Sequence, residues 1–309
     1  MTRIALGTIP FGTTVDEAAS FAILDRFVEA GGTVLDTSNN YPFWIDGAIG
    51  DESETTIGRW LESRGLRDHV VLSTKCGARP AVPGDRTLGS AEGLSGEVVR
   101  AAMEASLRRL RTDRVDVYWA HIEDRATPLE EQVDAFGALA AEGKALAVGA
   151  SNHATWRVER ARGLARARGV TPYTDLQLRH SYLRPRPGVP LPESAHVQVG
   201  EEVLDYVAVE GLRLWTYTTL LAGAYTRADR PIPPHYDHPG TTRRLAVLRE
   251  VAGELGATPN QVVIAWLTAQ GIVPIVGAST LAQVDELLGA RDVKLDDGQR
   301  ARLEDPALA

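Results

Sequence analysis

A closed (β/α)8 barrel, formed as one domain over residues 1–309, is the architecture this sequence predicts. Three observations carry that expectation. Eight short, β-rich apolar runs alternate with longer helical patterns from end to end. Most runs are followed by a helix, which fits parallel strands joined by crossovers. No G-x-G-x-x-G occurs anywhere in the chain, whereas open dinucleotide-binding sheets normally carry it after the first strand. A length of 309 residues would divide into two average domains, but α/β barrels reach it as one.

The elements follow in order. Ile4–Thr8 is the first strand, and its helix carries Phe21, Leu24 and Val28 on one face before Gly31-Gly32 stops it. Thr33–Asp36 and Val70–Lys75 are the second and third strands, and Val115–His121 is the fourth. Thr127-Pro128-Leu129-Glu130 then predicts a helix start, with Thr127 as N-cap, proline in the first turn and Glu130 completing a capping box. Ala145–Gly149, Thr174–Gln177 and Leu212–Tyr217 are strands five to seven. Thr258-Pro259-Asn260-Gln261 repeats the capping pattern, Val273–Gly277 is the eighth strand, and Thr280-Leu281-Ala282-Gln283 is a third capping sequence. Pro42–Glu52, Gly77–Gly93, Arg184–Ala195 and Leu221–Gly240 read as long loops. Three of them follow strands, so a barrel would raise them at its C-terminal mouth. Pro42–Glu52 and Leu221–Gly240 are expected to shape that mouth, with Phe43 and Trp44 as an apolar wall.

Composition narrows the function. A chain of this size buries about three quarters of its unfolded surface and needs no disulfide or metal staple. The formal charge of −8 disfavours nucleic acid and anionic membrane surfaces as partners. The single cysteine, Cys76, excludes an intrachain disulfide and a cysteine-based zinc site. The histidines lack metal-binding spacing, and His153, His180, His196, His235 and His238 are expected at the surface or in a pocket. No G-x-S-x-G or phosphate-binding P-loop is present. Met1–Gly7 is too short an apolar run for a signal peptide, and Gln261–Ala278 is interrupted by Gly271 and Pro274. A soluble, cytoplasmic protein is expected; its oligomeric state is not readable.

The strand ends hold the chemistry. Asp36, Lys75, His121, Gln177 and Tyr217 close their strands, with Tyr41 just after the second and Ser151-Asn152 just after the fifth. Tyrosine, with an ordinary pKa near 10, exchanges protons poorly at neutral pH. A nearby ammonium favours its phenolate, and a carboxylate holds the ammonium in place. Tyr41, Lys75 and Asp36 supply those three parts, and His121 can hydrogen-bond a carbonyl oxygen and orient it. Such a set protonates the oxyanion formed when hydride reaches a carbonyl carbon. Taken alone, Asp36 reads as a turn residue, Tyr41 as half-buried packing and His121 as a satisfied core histidine. Lys75 resists a bland reading, because buried lysines are rare and only three of the 33 basic residues are lysines (Lys75, Lys144 and Lys294).

Five motifs in order resemble the aldo-keto reductase family over essentially the whole chain. Asp36-Thr-Ser-Asn-Asn-Tyr41 is similar to its D-T-A-x-x-Y signature, with Ser38 where the family usually has Ala. Ser53-Glu54 followed by Gly58 resembles its S-E-x-x-x-G, and Leu72–Lys75 the strand that delivers its lysine. Asp116 with His121 resembles its D-x-x-x-x-H strand, and Gly143–Asn152 its G-K-x-x-x-x-G-x-S-N run. The resemblance implies Tyr41 as general acid-base, Lys75 as its tuner, Asp36 as partner of Lys75 and His121 as orienter of the carbonyl. It further implies that Ser151, Asn152 and Gln177 hold a nicotinamide carboxamide and that Tyr217 stacks under the ring, although Tyr217-Thr-Thr-Leu replaces the usual Y-S-P-L. Gly277, Ser279, Gln283 and Glu286 match the region that holds the adenosine end. NADPH is the expected cofactor by family habit. NADH stays open, because Gly277 and Gln283 replace the usual basic contacts to the 2′-phosphate.

The expected function is therefore reduction of a small-molecule aldehyde or ketone. The same residues serve an NAD(P)+-dependent sugar or alcohol dehydrogenase running in reverse. A second class of reading is a nicotinamide-binding sensor or partner subunit on the same barrel. The intact Asp36, Tyr41, Lys75 and His121 argue for catalysis, since a pure binder has no need of them.

Overall fold

A computed structural model describes residues 4–190 and 195–305. Eight parallel strands pair in chain order and close with the last on the first. They are β1 (Ala5–Gly7), β2 (Val34–Asp36), β3 (Val71–Cys76), β4 (Val115–Ala120), β5 (Ala145–Ser151), β6 (Asp175–Arg179), β7 (Arg213–Tyr217) and β8 (Val273–Gly277). All eight expected strands are present, and β5 and β6 each run two residues further toward the mouth than the sequence suggests. Surrounding them are α1 (Glu17–Glu29), α2 (Glu52–Arg64), α3 (Gly96–Leu110), α4 (Leu129–Ala141) and α5 (Thr155–Arg168). The ring continues with α6 (Glu201–Glu210), α7 (Pro239–Leu255), α8 (Pro259–Ala269), α9 (Leu281–Gly289) and α10 (Asp297–Glu304).

Two apolar layers result from the alternation of side chains along each strand. One set, including Leu6, Leu35, Leu72, Tyr118 and Leu176, faces outward into the helices. The other fills the barrel itself: Ala5, Val34, Val117, Trp119, Trp215, Val273 and Ile275. Trp119 and Trp215 meet edge-to-face at 5.5 Å, and Trp215 Nε1 donates to Asp175 Oδ1 at 2.8 Å. The barrel is thus plugged beneath its mouth, as its packed interior requires. A Cβ on Gly149 would lie 2.5 Å from the Trp119 ring, so the glycine in β5 makes room for the plug.

The helix starts are only partly as expected. Thr258 and Gln261 form a reciprocal capping box on α8. Thr280 caps α9 through the Gln283 amide, but the Gln283 side chain turns back to Ser279. The Thr127 box is a misreading: the N-cap of α4 is Pro128, without a side-chain cap. Thr127 instead donates its hydroxyl to Asp124 Oδ2 at 2.7 Å, because that carboxylate also gathers two nearby backbone amides.

The loops follow the expected arrangement at the mouth. Trp44 of Pro42–Glu52 stands edge-on to Tyr41 at 6.0 Å. Arg79 of the β3 loop ties it to this segment through the Asn39 and Ile49 carbonyls and Asp51. In Leu221–Gly240, Tyr225 Oη lies 2.6 Å from Ser181 Oγ just beyond β6, so this loop too stays on the mouth. Residues 191–194 of the Arg184–Ala195 loop lie outside the described residues. Two of the histidines expected at the surface or in a pocket are buried. His153 is held by the Ser151 carbonyl at 2.7 Å, and His180 lies against Trp266. No described helix is long and apolar enough to cross a membrane, and no described cluster has the makeup of a metal site.

Candidate active site

The inward register lifts polar residues to one rim. Counting by twos from the barrel-filling side chains, Val34 leads to Asp36, Val71 to Ser73 and Lys75, and Val117 to Trp119 and His121. The same step leads from Gly149 to Ser151, from Asp175 to Gln177 and from Trp215 to Tyr217. Ladder pairing sets Asp36 level with Ser73, and Ser151 level with Gln177.

Lys75 has no solvent exposure, and its three ammonium protons meet three acceptors. Nζ lies 2.7 Å from Asp36 Oδ2, 2.6 Å from the Thr37 carbonyl and 3.2 Å from Tyr41 Oη. Asp36 is held in turn by Ser73 Oγ at 2.7 Å and Gln177 Nε2 at 3.0 Å, both on Oδ1. Burial works against the Lys75 ammonium, but Asp36 and Tyr41 outweigh it and its pKa is raised. Lys75 is a cation throughout the neutral range.

Tyr41 departs from the expected electrostatics. Burial raises its pKa, and the charge of Asp36 adds to that, together exceeding the lowering by Lys75. The ammonium acts in the expected direction, yet Tyr41 is a protonated phenol at neutral pH. Because Lys75 donates to Tyr41 Oη, the phenolic proton points elsewhere. His121 stands edge-to-face with Tyr41 at 5.8 Å. Burial, then the charges of Lys75 and His196, lower the His121 pKa well below its ordinary value, so the imidazole is neutral.

Around this centre the rim is cross-linked. Asn152 Nδ2 donates to the His121 carbonyl at 3.2 Å and to Ser151 Oγ at 3.1 Å. Its Oδ1 accepts from Tyr217 Oη at 2.6 Å and the Val197 amide at 3.2 Å. Both protons and both lone pairs of the Asn152 amide are thereby engaged within the protein. Ser151 is different: its Oγ accepts from Asn152, which leaves its own proton to donate. Gln177 gives an amide proton to Asp36 and retains its carbonyl oxygen. A hydroxyl donor and an amide acceptor thus sit side by side, the complement of a primary carboxamide.

A family model described as the aldo/keto reductase family matches residues 3–306. The chain belongs to the aldo/keto reductase family. Norsolorinic acid reductase from Emericella nidulans is 30% identical to it, over 98% of this chain and 77% of that one. An aryl-alcohol dehydrogenase (NADP+) from Phanerodontia chrysosporium is also 30% identical, over 96% of this chain and 78% of that one. The oxidoreductase YrpG of Bacillus subtilis is 29% identical over 96% and 89%. As an aldo/keto reductase the chain is an NAD(P)H-dependent oxidoreductase of carbonyl chemistry.

Part of this aldo/keto reductase's motif set proves to be scaffold. Ser53 Oγ bonds Thr8 and Thr37, tying the ends of β1 and β2 to α2. Glu54 is wholly buried and receives Thr74 and Arg109. Gly58 lies where a Cβ would come within 2.0 Å of the Arg109 carbonyl, which makes it the contact between α2 and α3. Asp116 accepts the Leu72 amide and Arg67 at the opposite end of β4 from His121. Cys76 is buried, and burial pushes its thiol far up, so it is inert.

The matches for the adenosine end lie away from the Tyr41 centre. Gly277 and Ser279 are exposed, and Ser279 donates from its amide and hydroxyl to Gln283 Oε1 at 2.7 and 3.0 Å. Glu286 Oε1 receives Thr258 Oγ1 at 2.7 Å and Asn260 Nδ2 at 3.2 Å, tying α9 to the start of α8. Sequence reasoning missed Ser73, which braces Asp36, and the Thr37 carbonyl, which takes the third proton of Lys75. The strand register is the signal for Ser73. The carbonyl carries none, since every residue has one.

Proposed function

We propose that this protein reduces an aldehyde or ketone to an alcohol with NADPH, Tyr41 delivering the proton to the carbonyl oxygen. One observation carries the reading: Lys75 meets Asp36, Thr37 and Tyr41 with its three protons, which keeps the phenol's own proton available for substrate. The nicotinamide, when bound, supplies the hydride to the carbonyl carbon. Ser151 and Gln177 hold its carboxamide by donor and acceptor. Tyr217, anchored on Asn152, borders the ring, and His121 orients the reacting oxygen opposite Tyr41. Lys75 then steadies the tyrosinate left behind, and Asp36 keeps Lys75 in place.

NADPH is favoured over NADH by family habit and by the NADP+ in the name of the Phanerodontia chrysosporium relative. Gly277, Ser279, Gln283 and Glu286 are the residues proposed near its adenosine end. Alcohol oxidation by the same residues in reverse is the companion reading, supported by that relative's description as a dehydrogenase. The test is Tyr41→Phe, assayed for cofactor oxidation over a carbonyl panel with both reduced nucleotides. Turnover should collapse while nucleotide binding, read by fluorescence, persists. Retained turnover would remove Tyr41 from the mechanism.

A further inference from the structure

The start of α9 engages its own best donors. Ser279 gives its amide and its hydroxyl proton to Gln283 Oε1, at 2.7 and 3.0 Å. Redirecting the hydroxyl proton to an anion would leave two oxygens facing each other at 3.0 Å. Thr280 Oγ1 accepts the Gln283 amide at 3.3 Å, which engages a further first-turn donor. Cations are missing as well. Residues 276–290 hold no lysine or arginine, and they include Asp285 and Glu286. Arg26 reaches α9 from α1 but gives its Nε to Asp285 at 2.6 Å, and Arg227 of the β7 loop gives its own to Asp229 at 3.0 Å. Packing does not forbid a cation here. Gly277 continues the inward row of Val273 and Ile275, and a Cβ on it would meet no atom within 4 Å.

We propose that this adenosine end reads the ribose 2′ position without charge, so that the enzyme takes NADH and NADPH with less than about a tenfold preference. The inference rests on the nicotinamide chemistry proposed above and widens it from one reduced nucleotide to two. A 2′-phosphate only accepts hydrogen bonds, and a guanidinium or ammonium that holds it contributes about ten- to a hundredfold in affinity. The described residues of α9 and its approach supply neither. What they offer is neutral: the Gln283 Nε2 protons, the amides of Leu281 and Ala282, and the dipole of a nine-residue helix. A helix end favours an anion by about two- to fivefold, so a slight lean toward NADPH remains and a strong one does not. A ribose 2′-hydroxyl both donates and accepts, so amide protons and the lone pairs of Ser279 and Thr280 suit it equally.

Fluorescence titration of the full-length protein with NADPH and with NADH, at about 20 mM and about 300 mM KCl, reads the preference without turnover. The two Kd values should agree within about tenfold, and salt should barely move their ratio. Calorimetry with 2′,5′-ADP and 5′-AMP, which differ only in the 2′-phosphate, should give affinities equally close. Gly277→Lys and Gln283→Arg each supply the missing cation and should shift the Kd ratio by about tenfold or more toward NADPH, most strongly at low salt. Gly277→Lys leaves the Ser279–Gln283 bonds in place, so it decides the matter if Gln283→Arg disturbs α9. A wild-type preference beyond about tenfold in either direction overturns the inference. So does a ratio that neither variant moves, which would place the 2′ position away from α9. Nucleotide binding needs no chemistry, so a failed Tyr41→Phe test removes the proposed reaction and leaves the Kd ratio standing.

Discussion

Asp36 and Ser73 stand level with each other across the β2–β3 ladder, and the serine hydroxyl donates to Asp36 Oδ1 at 2.7 Å while Lys75 holds Oδ2. A carboxylate with each oxygen separately engaged cannot rotate, so Ser73, with Gln177 on the same Oδ1, helps to fix the position of Lys75 under Tyr41. Ser73→Ala removes one hydrogen bond to a charged group, worth about 1.5–3 kcal/mol in general. We expect a fall in kcat of roughly tenfold, with nucleotide affinity unchanged. Steady-state rates beside fluorescence titration check this; a loss confined to nucleotide binding would contradict it.

The Lys75–Asp36 pair is buried on both sides, so removing one partner strands the other. Lys75→Met should destabilise the fold by about 3–5 kcal/mol by leaving the Asp36 charge uncompensated. Combining it with Asp36→Asn should restore most of that stability and none of the activity. Urea unfolding of wild type, single and double variants separates the outcomes. A double variant no more stable than the single one would mean that the pair is not energetically coupled.

Proton supply sets the pH profile. Burial raises the pKa of Tyr41 above the ordinary value of 10.0, so the protonated form persists further up the pH scale. In the proposed reaction, carbonyl reduction draws on that proton, so its kcat should stay level through the neutral range and fall only above pH 10. Alcohol oxidation needs the phenolate and should rise with pH over the same span. His121, held neutral by burial and by neighbouring positive charge, should add no limb near its ordinary value of 6.5. Rate profiles in both directions read this directly, and a reduction limb near 6.5 would contradict the neutral imidazole.

Gly58 belongs to the sequence motif yet never meets the site. Its Cα faces the Arg109 carbonyl so closely that a Cβ would sit at 2.0 Å, and Leu110 is at 2.8 Å. Gly58→Ala should lower stability by about 1–3 kcal/mol by forcing α2 off α3, with KM unchanged in the surviving enzyme. Thermal unfolding and kinetics of the same preparation test it. A changed KM at full stability would make Gly58 part of the site.

What the sequence discloses and what it hides follow from how each signal is written. The strands are legible because each is a short apolar run with its own period, and the period also tells which residues reach the rim. Asp36, Lys75, Tyr41 and His121 stand out as ionisable residues at or just after the ends of otherwise apolar strands. Lysine scarcity marks only Lys75: Lys144 pairs with Glu104 and Glu142, and exposed Lys294 caps the Arg291 carbonyl. Ser73 is hidden because serine is common throughout a chain, and its meaning arises only when separate strand ends meet. Thr127 misleads for a related reason, since a nearby carboxylate outcompetes the helix for its hydroxyl.

Trp44 is the residue through which substrate size should be felt. It follows Tyr41 by three positions, meets the phenol edge-on at 6.0 Å and is in turn met by Phe43 at 5.1 Å. At 41% exposure it leaves a large apolar face open beside the Tyr41 phenol, in a loop that Arg79 fastens to the rim. An aromatic ring laid against that face would gain about 0.5–1.5 kcal/mol beyond simple burial, which a short aliphatic chain would not. Trp44→Ala should therefore raise KM for an aryl aldehyde by roughly three- to tenfold, by the usual conversion of energy to affinity, and leave a short aliphatic aldehyde nearly unaffected. Its kcat with saturating substrate should hold, because Trp44 touches the Tyr41 ring and not the Lys75–Asp36 pair. Comparing the two aldehydes on wild type and variant decides the matter. Equal losses on both would mean that Trp44 supports Tyr41 rather than the substrate.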